Sequence, residues 1–299
     1  MIKLIQRLKE EKKAVILAHN YQQPEIQDLA DFVGDSLELA REASQLKECR
    51  LIVFCGVRFM AETAKILSPG KRVVLPVNEA GCPLADMVTP ADVLQMKKKY
   101  PGAVVVSYVN TSAEVKALSD VCCTSANAVS VVEKVPAKQI IFLPDRNLGW
   151  YVQQRLPEKK ILLGNGYCFV HERFTVLEVK TVREKMPEAE IVVHPECKPE
   201  VQKLADGVYS TSGMLRRARE SPARKMVIGT EVGLLHRLKK ENPGKEFYCL
   251  GTAKICPNMK KTDLKSVLEA LSKEEPEIRL SEEVISLARA ALERMLLFV

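Results

Sequence analysis

The sequence holds little that would mark a nucleic-acid binder or a membrane protein. Aromatic residues make up 5% of the 299, with a single tryptophan. No stripe interleaves aromatics with basic residues, which argues against a single-strand binding surface. The net charge is only +7, and its clearest basic run, Lys97-Lys98-Lys99, falls at the end of a predicted helix, where lysine complements the helix dipole. No apolar run approaches a membrane span. The first residues, "MIKLIQRLKEEKK", read as a short amphipathic helix without the apolar core of a signal peptide. A cytoplasmic protein with neither nucleic-acid nor membrane partners is therefore expected. Three nucleotide and metal motifs are also missing. "GNGYCF" ends on Phe169 and is no G-x-G-x-x-G, and neither G-x-x-x-x-G-K-[ST] nor H-E-x-x-H occurs. The usual nicotinamide and ATP enzymes are disfavoured. Nine cysteines, an odd number in a reducing compartment, argue against a disulfide framework.

What the chain does have is an internal threefold repeat. "AHNYQQPEIQDLADFVGDSLELAREA" (18–43), "SYVNTSAEVKALSDVCCTSANAVSVVEK" (107–134) and "VHPECKPEVQKLADGVYSTSGMLRRARE" (193–220) align without gaps over their common part. Glu25, Glu114 and Glu200 correspond at offsets of 89 and 86, as do Asp31, Asp120 and Asp206, and Ser36, Ser125 and Thr211. A short β-branched run precedes each stretch, and two more apolar strands follow it. Each unit reads strand–helix–helix–strand–helix–strand. In the first, Pro24 opens a helix and Gly34 is placed to end it; Asp35 or Ser36 caps the next, with Glu38 in its first turn. Apolar strands alternating with helices predict parallel sheets covered on both faces. The expected fold is α/β, three repeated αβα sandwich domains at 1–85, 86–170 and 171–256, arranged about a pseudo-threefold axis, with C-terminal helices at 257–299 completing it. Linking helices are expected near 90–99, 175–185 and 262–272, and a last one at 282–297 after Ser281.

The loop after each third strand carries one cysteine: Cys82 in "VNEAGCP", Cys168 in "NGYCFVH" and Cys256 in "GTAKICPN", spaced by 86 and 88. A single loop cysteine reads as a buried thiol. Three at equivalent places in three repeats read as ligands of one metal centre. Soft thiolates select zinc, copper(I) or an iron–sulfur cluster, and three ligands leave one position open. The residues after each first strand lie at the same carboxyl-terminal end: His19 and Tyr21, Tyr108 and Asn110, His194 and Glu196. The second-helix starts, Asp35-Ser36, Thr124-Ser125 and Ser210-Thr211, add hydroxyls and N–H groups suited to phosphate or carboxylate. A substrate, or a pair, with several anionic groups is expected, and Glu196 is a candidate general base. His171 and His236 read as structural or exposed, and Cys122, Cys123 and Cys197 as packing residues.

These stretches, together with "LAHNYQ" (17–22), "GDS" (34–36), "FLPDRNLG" (142–149), "VHPEC" (193–197) and "STSGM" (210–214), resemble the quinolinate synthases, iron–sulfur enzymes of NAD biosynthesis. The resemblance covers essentially the whole chain. It implies three αβα domains around a 4Fe–4S cluster held by Cys82, Cys168 and Cys256, with an open fourth iron acting as Lewis acid. It implies condensation of iminoaspartate with dihydroxyacetone phosphate to quinolinate, with release of phosphate and water, and a link to an aspartate oxidase that supplies iminoaspartate. His19, Ser36, Ser125, His194, Ser210 and Thr211 would hold anionic groups. Asn110 would orient the intermediate, and Tyr21, Tyr108, Glu196 and His194 would carry the catalysis. Some family members have a C-x-x-C-type run at the last cysteine; here "ICPNMK" has Cys256 alone, which removes a possible redox pair and leaves ligation unaffected. The rival readings are a three-domain sensor with a structural metal and a zinc hydrolase.

Overall fold

The computed structural model describes residues 1–298. The first repeat runs α1 (Ile2–Glu11), β1 (Ala14–His19), α2 (Pro24–Leu29), β2 (Phe32–Gly34), α3 (Ser36–Gln45), β3 (Leu51–Cys55), α4 (Arg58–Leu67) and β4 (Arg72–Val74). The second runs α5 (Pro90–Lys99), β5 (Val104–Tyr108), α6 (Ala113–Ala117), β6 (Val121–Cys123), α7 (Ala128–Lys134), β7 (Gln139–Leu143), α8 (Arg146–Arg155) and β8 (Lys160–Leu163). The third runs α9 (Val176–Lys185), β9 (Glu190–Val193), α10 (Pro199–Gln202), β10 (Gly207–Val208), α11 (Thr211–Glu220), β11 (Lys225–Gly229), α12 (Leu234–Glu241) and β12 (Glu246–Cys249). Helices α13 (Leu264–Lys273) and α14 (Glu282–Leu297) follow. The strands form three parallel four-stranded sheets of one topology: β2-β1-β3-β4, β6-β5-β7-β8 and β10-β9-β11-β12. The fold is α/β, three repeated αβα units. No helix among the described residues is long and apolar enough to cross a membrane.

Each unit has one strand more than its sequence pattern suggests. Gly34 does not end a helix: α2 stops at Leu29, and Gly34 closes the edge strand β2. The extra strands β2, β6 and β10 are two or three residues long, too short to show a period. An aspartate just before each fixes it. Asp31, Asp120 and Asp206 each donate their N–H to a carbonyl of the neighbouring first strand. Each also accepts that same residue's N–H on its carboxylate: Ile16 at 2.8 Å, Val105 at 2.7 Å and Ile191 at 2.7 Å. The repeated aspartate is thus a ladder rung at the strand starts.

The strands look uniformly apolar because both faces are buried, yet the faces differ. In β3, Ile52 and Phe54 enter a core shared by all three repeats, whereas Leu51, Val53 and Cys55 enter an outer core of the first. In β7, Ile140 and Phe142 face inward and Ile141 outward; in β11, Met226 and Ile228 face inward and Val227 outward. Full burial of such side chains contributes about 1.5–3 kcal/mol each, so the shared core is the main bond between the repeats.

Capping follows the sequence. Asp35 and Glu38 form a capping box on α3, as do Thr89 with Asp92 on α5 and Thr175 with Glu178 on α9. Helix α14 packs on α4, α6 and β6, spanning the first two repeats, and α13 packs on α1 and β3. Just beyond α13, Glu274 pairs with Lys12 at 3.0 Å, with Arg72 at 2.7 Å and with Arg50.

Candidate active site

The carboxyl ends of the three sheets open onto one cavity, with about 730 Å³ of space between atoms counted to its mouth. Each repeat contributes the same four positions. The first supplies His19, Tyr21, Ser36 and Cys82; the second Tyr108, Asn110, Ser125 and Cys168; the third His194, Glu196, Thr211 and Cys256. Ser210 is not among the lining residues. Its hydroxyl caps α11 by accepting the Gly213 N–H at 3.2 Å, so it serves the helix and not the cavity.

Polar bonds tie the repeats together around this space. Asn20 donates to the Thr211 hydroxyl at 3.0 Å, Ala113 N–H to Glu62 at 3.1 Å, and the His194 Nε2 lies 3.2 Å from the Ser125 hydroxyl. His19 and His194 are built alike. Each Nδ1 accepts a backbone N–H two residues on, from Tyr21 at 3.1 Å and from Glu196 at 3.3 Å. A neutral ring that accepts at Nδ1 carries its proton on Nε2. Burial pushes both rings down to about 3, helped by Lys260 beside His19 and by His171 beside His194. Both therefore act as neutral donors.

His171, which the sequence marks as structural or exposed, belongs to the site. It is 1% exposed, lies in the 3₁₀ turn after Cys168, and stacks on His194 with ring centroids 4.4 Å apart. Its Nδ1 sits 2.6 Å from Glu196 Oε2, at an angle outside hydrogen-bond geometry, and its Nε2 is 2.8 Å from the Thr230 hydroxyl. That hydroxyl is in turn 2.6 Å from the Tyr21 phenol. Tyr21, Thr230, His171 and Glu196 form one buried polar chain reaching from the first repeat into the third, by way of the turn that joins the second repeat to the third. The other lone histidine, His236, is outside the cavity and pairs with Asp28 at 3.1 Å.

Burial works against charge on Glu196, but the His171 and His194 rings against it outweigh this and bring it down to about 2. The same burial, with the Glu196 carboxylate nearby, pushes both Tyr21 and Tyr108 well above the ordinary phenol range. The site thus keeps an ionised carboxylate beside two protonated phenols, an acceptor next to donors within one cavity. Among the lining residues, two side-chain oxygens, Glu196 Oε1 and Asn110 Oδ1, are buried without a hydrogen-bond partner. Buried acceptors are seldom left so, and both belong to residues that line the cavity.

The thiols suit a metal. Burial pushes Cys82 up to about 12 and raises Cys168 and Cys256 too, whereas coordination deprotonates a thiol outright. Ligand atoms of Cys168, His171 and Glu196 all lie within 4.8 Å of one another; the three thiols do not form such a set. Cys197, Cys122 and Cys123 are buried and are not among the lining residues.

The profile of the family described as "Quinolinate synthetase A protein" matches residues 3–297. The chain belongs to the quinolinate synthetase A family. Its members are enzymes of NAD biosynthesis. Curated relatives named quinolinate synthase include those of Alkaliphilus metalliredigens, 54% identical over 99% of this chain and 97% of the relative, and of Methanoregula boonei, 53% identical over 98% and 96%. That of Thermodesulfovibrio yellowstonii is 52% identical over the same shares of each, 98% and 96%.

Proposed function

We propose that this chain is a quinolinate synthase that condenses iminoaspartate with dihydroxyacetone phosphate, releasing phosphate and water, where its units 1–85, 86–170 and 171–256 meet, with 257–299 closing the fold. One observation carries the reading: a cysteine from each repeat lines the same cavity as Tyr21, His171 and Glu196, with Thr230 joining Tyr21 to His171 behind them. Cys82, Cys168 and Cys256 would hold a 4Fe–4S cluster. A single zinc would draw its thiolates to roughly 3.8 Å of one another, given Zn–S bonds of about 2.3 Å, and this trio is not so closely drawn. The tighter set of Cys168, His171 and Glu196 suits a single ion less well, since His171 and Glu196 already meet at 2.6 Å, with no room for an ion between them. When bound, the cluster supplies a Lewis-acidic iron with an open position for a substrate oxygen or nitrogen.

The chain's own residues do the rest. The two substrates carry two carboxylates and a phosphate. His19 and His194 offer Nε2–H donors. Ser36 and Thr211 offer hydroxyls at the starts of the ten-residue helices α3 and α11, and Ser125 offers another. Asn110 Oδ1 accepts an N–H of the nitrogen-bearing substrate and orients it. Glu196 takes protons at its unpaired Oε1. Tyr21 exchanges a proton with the substrate, its phenol held by Thr230, whose hydroxyl is held in turn by His171. Tyr108, protonated throughout, donates to oxygen as charge builds there. An oxidase acting on aspartate is the partner that would supply iminoaspartate.

Purification without oxygen tests this. About four irons and four sulfides per chain, with quinolinate formed from the two substrates, are expected. A colourless zinc protein without sulfide would sink the cofactor assignment. An intact cluster with no quinolinate would favour a sensor.

A further inference from the structure

Two residues past the end of the third strand in each sheet, the repeats differ. The residues there are Val57 after β3, Asp145 after β7 and Glu231 after β11. Asp145 is fully buried and Glu231 is 1% exposed. Each divides its two oxygens in the same way. Asp145 Oδ1 accepts the Leu148 N–H at 2.8 Å in the first turn of α8, and its Oδ2 accepts the Cys168 N–H at 3.2 Å. Glu231 Oε2 accepts the Gly233 N–H at 2.7 Å at the start of α12, and its Oε1 accepts the Cys256 N–H at 3.1 Å. Lys260 steadies that second oxygen at 3.0 Å. In both cases one oxygen is fastened to a helix and the other grips the main chain of a cysteine. Val57 has no such group. The Cys82 loop is tied two residues back, where the Ala80 carbonyl accepts the Arg58 N–H at 2.8 Å.

We propose that Asp145 and Glu231 are positioning residues that hold Cys168 and Cys256 in place for the cluster, and that Cys82, without a counterpart, is the ligand that lets go first. The proposal rests on the reading that the cluster sits on these three cysteines. Partners that orient a metal's ligands commonly govern metal retention by roughly 10- to 100-fold. A carboxylate also serves better than an amide because both its oxygens only accept. It cannot turn a donor toward the N–H it must hold.

The experiment follows cluster loss in the holoenzyme by its visible absorption, under excess chelator and without oxygen. Asp145→Asn and Glu231→Gln are compared with the native protein and with Asp206→Asn, which weakens a backbone-holding carboxylate at the far end of the third sheet. The first two should lose cluster roughly 10- to 100-fold faster than native. Asp206→Asn should melt lower yet lose cluster at the native rate. Native-like loss in Asp145→Asn and Glu231→Gln, or loss no faster than in Asp206→Asn, overturns the proposal. If those variants do not fold, amide hydrogen exchange on the native holoenzyme decides: the Cys168 and Cys256 amides should exchange more slowly than that of Cys82, and equal rates overturn it. The native iron and sulfide content, measured first, reports separately on the cluster reading itself.

Discussion

The two ends of the sheets were built from the same repeat and have been used differently. At the strand starts, Asp31, Asp120 and Asp206 make the same bond three times over. At the strand ends, four positions recur, and they differ in how far they have diverged. The cysteine is identical in all three repeats, and the hydroxyl is Ser, Ser and Thr. The residue at the end of the first strand, or directly after it in the third repeat, is His, Tyr and His, and the one two places on is Tyr, Asn and Glu. Where a common centre or several anions would need the same group three times, the residue is kept. Where the proposed chemistry calls for an acid, an acceptor and a base, the three repeats offer Tyr21, Asn110 and Glu196. One end of the molecule is symmetric because folding asks the same of every unit. The other is asymmetric because chemistry does not.

The largest expected break of this contrast is at Glu196. Glu196→Gln should lower turnover roughly 10²- to 10⁴-fold while iron content and melting temperature stay near native. A turnover within a fewfold of native would remove Glu196 from the chemistry. Next comes Thr230→Val, which cuts the Tyr21–His171 link without changing shape much. Turnover should fall about 10- to 100-fold, as misplacement within a site commonly costs, with cluster absorption unchanged; steady-state kinetics on cluster-loaded protein would tell. At the symmetric end the effects should be smaller and of another kind. Asp31→Asn, Asp120→Asn and Asp206→Asn should each cost about 1 kcal/mol, lowering the melting temperature by about 2–4 °C, with activity per folded molecule intact. A large activity loss in only one of the three would break the equivalence.

The smallest effect is in acid. Glu274 joins Lys12, Arg50 and Arg72 at the strand-start end of the first sheet. Burial pushes its carboxyl up, but these cations outweigh that and hold it at about 2, below the ordinary 4.5. Its contribution to stability is therefore complete above pH 4.5 and fades as the pH falls toward 2. Glu274→Gln should flatten the acid side of a melting-temperature profile over that window and leave the neutral side parallel to native. An unchanged acid slope would mean the group adds nothing.

Much of the fold is legible in the sequence because it is written three times. The alignment of Asp31, Asp120 and Asp206 exposes the repeat, and the spaced cysteines locate the strand ends. Three things are not legible. The edge strands β2, β6 and β10 are too short to carry a pattern and exist through pairing with one neighbour. The inner and outer faces of strands such as β3 and β7 cannot be told apart, since both are apolar and only assembly decides which core each side chain joins. His171 is hidden for a different reason. Its partner Thr230 lies 59 residues further along the chain, Glu196 also lies beyond the turn, and nothing in "CFVHERF" announces them. The available clue was position, three residues beyond a repeated cysteine. Thr230 and Glu231 carried a similar clue, since they directly follow a repeated strand at the end where ligands bind.

The placement of α14 has a consequence for how the protein is made. It seals α4 against α6, yet α4 ends at Leu67 and α14 begins at Glu282. At roughly 5–20 residues per second, a ribosome takes on the order of ten to forty seconds to cross that gap. Throughout it, α4 lacks the helix that covers it, and the second sheet, complete only at Leu163, waits for the same helix. Nascent chains stalled before and after α14 should differ sharply in how much chaperone they recruit.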